Sequence, residues 1–102
     1  MIVVYGKVEL HLPYSRSLKE KRQVIKSIGD RIRKRFNISI AEVDGHDLWQ
    51  TCTLGFSAVA KSFAETEKFL QALRDTLDLH EEEIYIVDFA CGYLGEPHLG
   101  LS

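Results

Sequence analysis

Two groups of side chains in this sequence could do chemistry, and they differ in kind. Between Arg16 and Arg35 lie nine basic residues against two acidic ones, a net of +7 on a 102-residue chain whose formal charge is −2. The remainder holds four basic and thirteen acidic side chains, a balance of −9. Cations concentrated in this way suit a phosphate backbone, where each Lys or Arg contact releases a counterion and adds affinity without reading sequence. The second group is Asp44, His46 and Asp47 in "EVDGHDLWQ". Carboxylates and an imidazole are ligand types of zinc and manganese sites. Neighbours on one turn rarely converge on an ion without ligands from elsewhere, however. Asp44-Gly45 is also ordinary hairpin chemistry, with Asp47 placed to cap free N–H groups. His11, His80 and His98 are scattered along the chain and form no triad with a nucleophile. No catalytic residue, metal or cofactor is expected.

The elements that must position these groups follow from hydrophobic spacing. Residues 2–12 alternate, with Ile2, Val4, Val8, Leu10 and Leu12 on one face and Tyr5, Lys7, Glu9 and His11 on the other. That is a half-buried strand. Ser17-Leu-Lys-Glu20 is a capping box that opens a helix over 18–35. Its apolar residues Leu18, Val24, Ile25, Ile28, Ile32 and Phe36 occupy about a third of the helical wheel. Residues 37–43 form a short β-branched strand, and 51–60 form another that turns Cys52, Leu54, Phe56, Ala58 and Ala60 to one side. Ser62-Phe-Ala-Glu65 caps a second helix whose buried stripe is Thr66, Phe69, Leu70, Leu73 and Leu77. The β-branched and aromatic run at 84–94 is a last strand. The order βαββαβ predicts an α+β, ferredoxin-like domain over 1–94. Its four-stranded antiparallel sheet has the order 4-1-3-2, both helices cover one face, and a tail follows at 95–102.

On the first helix Lys19, Arg22, Lys26 and Arg33 fall within an arc of about 60°, outside the apolar arc, along about 27 Å of helix. Arg16 and Lys34 flank this stripe. Lys21 and Arg35 project near the edges of the apolar arc, where their stems can pack and their charges snorkel. Gly29 borders the stripe at a cost of about 1 kcal/mol relative to Ala. It makes room either for a close approach or for tight helix packing. Solvated helix faces usually mix their signs, because Glu–Lys pairs four apart are stabilising. Here only Glu20 and Asp30 interrupt the cations, whereas the second helix carries Glu65, Glu67, Asp75 and Asp78 and is followed by "EEE". Three readings remain open: a phosphate backbone, an acidic protein surface, or a solvated face without a partner.

The far side of the sheet shows less. Phe56 is turned toward the helices with Leu54, so no aromatic platform for stacked bases is expected there. Ile84 and Ile86 alternate with Tyr85, Val87 and Phe89, making the last strand apolar on both sides. A strand of that kind needs cover on its second face. A second copy of the chain is the simplest cover, with Tyr5, Ile84, Ile86 and Trp49 as interface residues. Cys52 and Cys91 fall on strands separated by the first, about 9–10 Å apart, too far for a disulfide. Both are expected to be reduced and buried. The alternating N-terminus is not a signal peptide, and nothing approaches the ~20 apolar residues of a membrane span, so a cytoplasmic protein is expected.

The segments "ELHLPYSRSLKEKR", "AEVDGHDLWQ" and "TLGFSAV" resemble the YlxP-like family of small bacterial proteins, a domain of unknown function, over nearly the whole chain. The resemblance implies a ferredoxin-like fold. It also implies a gene beside those for translation initiation and ribosome maturation, which by association favours RNA or the ribosome as partner. It brings no catalytic residue. The expectation is therefore a non-enzymatic, dimeric domain that binds RNA phosphates through Arg16, Lys19, Arg22, Lys26, Arg33 and Lys34. The alternative is a regulatory dimer that docks the basic helix on an acidic partner. A metal-dependent enzyme at Asp44, His46 and Asp47 comes third.

Overall fold

A computed structural model of the protein describes residues 1–95; the rest of the expected tail, with His98, lies outside the described residues. The elements are β1 (Ile2–His11), α1 (Leu18–Arg35), β2 (Ser39–Asp44), β3 (Thr51–Ala60), α2 (Phe63–Asp78) and β4 (Tyr85–Gly95). They form one antiparallel sheet in the order β2-β3-β1-β4, which is the predicted order read from the other edge. Both helices cover one face. Ile28 and Ile32 of α1 and Phe69, Leu73 and Leu77 of α2 share a core with Val4, Val8, Leu10, Leu54 and Phe56.

Local chemistry explains the element ends. The Ser17 hydroxyl accepts from Glu20 N at 3.1 Å, and the Glu20 carboxylate turns back to accept from Arg16 N at 2.7 Å. Two otherwise orphaned donors are thereby satisfied. Ser62 does the same for Glu65 N at 3.2 Å. Gly45, at φ +80°, takes the left-handed conformation that the β2–β3 turn requires.

The pairing of β1 with β3 runs unbroken from Ile2↔Ala60 to His11↔Thr51. Against β4 the register shifts after Glu9↔Asp88 and resumes at Leu10↔Ile86, leaving Val87 as an extra residue. This bulge corrects two expected interface positions. Alternation counted back from Phe89 would put Ile86 on the outer face. The extra residue instead sets it opposite core Leu10, on the helix side. Ile84, just before the strand, is buried in the core. The outer face of β4 is therefore Tyr85, Asp88, Ala90, Gly92 and Leu94, and neither isoleucine can meet a partner there. Cys91 is a further correction, because it is exposed on the edge strand whereas Cys52 is buried; both thiols are free.

Candidate functional site

Lys19, Arg22, Lys26, Arg33 and Lys34 are exposed along one side of α1, and Arg16, also exposed, lies just before its cap. Among the described residues Arg16, Lys19, Arg22 and Lys34 form no ion pair. Lys26 and Arg33 both reach Asp30, at 2.7 and 3.5 Å. The hydrogen bond from Lys26, with the nearby charges of Arg33 and Lys34, holds the Asp30 carboxyl below the usual carboxylate range. Two grooves border this crest. One, of about 270 Å³, runs between α1 and edge strand β2, with Arg22, Lys26 and Arg33 on its helix side. The other, of about 700 Å³, separates α1 from α2 and is lined by Lys26, Arg31, Lys34 and Arg35.

Gly29 serves the crest itself. A Cβ on it would lie 2.8 Å from the Arg33 guanidinium, which folds over the glycine and donates to the Ile40 carbonyl of β2 at 2.8 Å. The close approach anticipated at this position is thus made by the helix's own arginine.

The sequence reading missed Lys21. It was expected to snorkel at the margin of the apolar arc, but its side chain is 0 % exposed and its ammonium is paired with Glu42 at 2.7 Å. The same nitrogen donates to the carbonyls of Gly45 at 2.8 Å and Thr51 at 3.2 Å, so all three protons have acceptors. The sequence did carry a signal. Lys21 lies four residues before Ile25 and seven before Ile28, in line with the core positions. A buried cation needs acceptors of this kind, and the β2–β3 turn supplies them.

That turn is fixed at several further points. Leu48 N donates to the Gly45 carbonyl at 3.0 Å, and His46 Nε2 to the Glu42 carbonyl at 3.1 Å. Asp44 accepts from Gly45 N at 2.8 Å. Asp44 and His46, two of the three potential metal ligands of the turn, are thus engaged with its own backbone. Among the described residues no group of three His, Cys, Asp or Glu side chains is placed to hold an ion. Gln50 ties the turn to the β1–α1 loop, donating from Nε2 to the carbonyls of Pro13 and Ser15 at 3.3 Å each. Trp49, beside it, is 52 % exposed.

Tyr5, the remaining predicted interface residue, lies on the outer sheet face with its ring over Gly92, where a Cβ would be 2.8 Å away. It borders an apolar groove of about 660 Å³ floored by Ala41, Gly55 and Ala90, with Val43 and Lys7 at its margins. This concavity is on the opposite side of the sheet from α1.

The neighbourhood of Lys21 also sets the cysteine chemistry. Burial, then the charge and hydrogen bond of Glu42, push the Cys52 thiol up to about 12, against a smaller opposing pull from Lys21. Thiolates are the reactive form. A disulfide-exchange reagent at pH 8 is expected to titrate one thiol, Cys91, in the native protein, and the second only after denaturation. Two fast-reacting thiols in the native state would contradict this burial.

Fold and site together define a ferredoxin-like α+β domain with a cationic helix crest and a rigid aromatic turn. Residues 3–91 match the family described as "Protein of unknown function (DUF503)", and the chain belongs to that family. It is 44% identical over 66 residues to "Uncharacterized protein YlxP" of Bacillus subtilis (strain 168), covering 65% of this chain and 72% of that relative. Among solved structures it is similar to a de novo designed protein with a ferredoxin fold, at a TM-score of 0.53 and 14% identity, over 100% of this chain and 91% of the other. That likeness concerns the fold alone. Among the described residues no helix is long and apolar enough to cross a membrane.

Proposed function

We propose that the crest of α1 binds the phosphates of RNA, free or within the ribosome, in the cytoplasm, without catalysing a reaction. The observation that carries this reading is the lack of internal partners. Among the described residues Arg16, just before α1, and Lys19, Arg22 and Lys34 within it form no ion pair, while the rest of the chain is acidic. Self-repelling charge of this kind opposes folding and is relieved by a polyanion. Titration of a labelled RNA hairpin at increasing salt tests it. For four phosphate contacts the log–log slope should be about −2.8 to −3.6, a loss of roughly 50- to 150-fold between 50 and 200 mM salt. Salt-insensitive binding, or none at low salt, would reject it.

A second reading is a homodimer closed through the outer sheet face, favoured by the groove around Tyr5 and by charge. Lys7 stands in that face beside Glu9 and Asp88, so a two-fold packing can set each lysine against the partner's acids. Light scattering at micromolar concentration should then report twice the chain mass, and Ala90→Glu should return the monomer. A wild-type monomer at that concentration sinks this reading.

A further inference from the structure

The end of the molecule where α1 begins holds aromatic side chains in water on segments that are anything but loose. Trp49 and Leu48 of the β2–β3 turn and Tyr14 of the β1–α1 loop are more than half exposed, Tyr14 at 70 %. Yet the buried ammonium of Lys21 clamps both sides of the turn through Gly45 and Thr51. The Gln50 carbonyl accepts from Leu12 N at 2.8 Å and from His11 Nδ1 at 3.0 Å, while its side chain reaches Pro13 and Ser15 on either side of Tyr14. Two loops are thus fastened to each other and to the helix, with their aromatic residues left outside. Rigid aromatic surface is what a stacking contact needs, because little ordering entropy is lost on binding.

The charges nearby indicate what would stack. Arg16 follows Tyr14 by two residues, and Lys19 and Arg22 flank the lysine that enters the turn. An exposed planar surface on the segments that lead into a helix of exposed cations matches a nucleotide, a flat base joined to an anionic phosphate, although Tyr14 also lines a cavity with Glu20, Glu82 and Glu83. Asp47, in the same turn, is wrong for a phosphate but right for an exocyclic amino group, as on cytosine. We infer that Trp49, with Tyr14, stacks an unpaired base of the strand whose phosphates the α1 crest holds, making the ligand single-stranded or loop-bearing RNA. This rests on the phosphate reading above and adds the class of RNA to it.

Trp49 is the single tryptophan of the chain, so its fluorescence reports the contact directly. The full chain is titrated with a cytosine-rich single strand and a blunt RNA duplex of equal length, as wild type, Trp49→Ala and Trp49→Phe. The single strand should quench Trp49, and Trp49→Ala should weaken it by roughly 5- to 150-fold, the worth of one stacked base. Trp49→Phe should restore part of that loss. The duplex should bind all three alike, and the salt slope should not change. Circular dichroism of the variants separates lost contact from lost fold. Salt-dependent binding with silent Trp49 fluorescence and an unaffected Trp49→Ala variant would overturn the stacking and leave the phosphate contacts standing. No binding of either RNA at low salt would remove both readings together.

Discussion

Replacing Lys21 with methionine should cost about 3–5 kcal/mol of stability, toward the lower end because Glu42 keeps some contact with water. A domain of this size holds about 5–15 kcal/mol in total. The melting temperature should therefore fall on the order of 15–30 °C. The cause is asymmetric. Methionine fills the volume, so little of the loss comes from packing. What remains is the Glu42 carboxylate without its cation and the carbonyls of Gly45 and Thr51 without their donor. Removing the carboxylate as well, in Lys21→Met/Glu42→Leu, should recover much of the loss, since replacing a whole buried pair by apolar groups is often neutral. The two carbonyls would keep the double variant below wild type. Urea unfolding measures both. A single variant within about 1 kcal/mol of wild type would mean that the pair contributes no more than an exposed one.

Reversing the charge of the crest should leave the fold intact and weaken RNA binding severely. Arg22 and Lys26 are exposed, and Lys26 makes only a surface pair with Asp30. Arg22→Glu/Lys26→Glu should therefore shift stability by no more than about 0.5 kcal/mol per site. Of the four unpaired cations only Arg22 is lost, so the log–log salt slope should fall by about a quarter, to near −2.1 to −2.7. Two new repulsions act in addition. Affinity should drop by a similar factor for unrelated RNA sequences, because phosphate contacts position a protein without specifying bases. If the basic helix instead docks on an acidic protein surface, the reversal would change assembly mass and leave any RNA signal unaltered. Equal affinity and slope for the variant and the wild type would return the crest to plain solvated surface.

The sheet, the helices and their stacking were legible because every element repeats its period. The alternation of β1, the serine caps at 17 and 62 and the helical stripes agree with one another, and consistency across levels is what specifies a fold. Val87 was not legible. A bulge is one residue of excess between two strands, visible only when both are paired, and it reversed the facing of Ile86. Lys21 was half legible, since its spacing matches the core while its charge argues for water. What decides is a set of carbonyls more than twenty residues away, which no local pattern shows. The cationic crest could be read at once because surface charge needs no partner to be recognised, though the folding of Arg33 over Gly29 toward β2 could not.

That last contact bears on how the molecule behaves in a crowd. A sheet of four strands has two open margins, each a template on which a foreign strand can add. On the β4 margin the Val87 bulge breaks the straight run of backbone that such an addition would copy. On the β2 margin the Ile40 carbonyl is already occupied by the Arg33 guanidinium, which also sets a positive charge against any incoming strand. Each margin of the sheet thus carries one feature that disfavours strand addition, the Val87 bulge on β4 and the Arg33 guanidinium on β2.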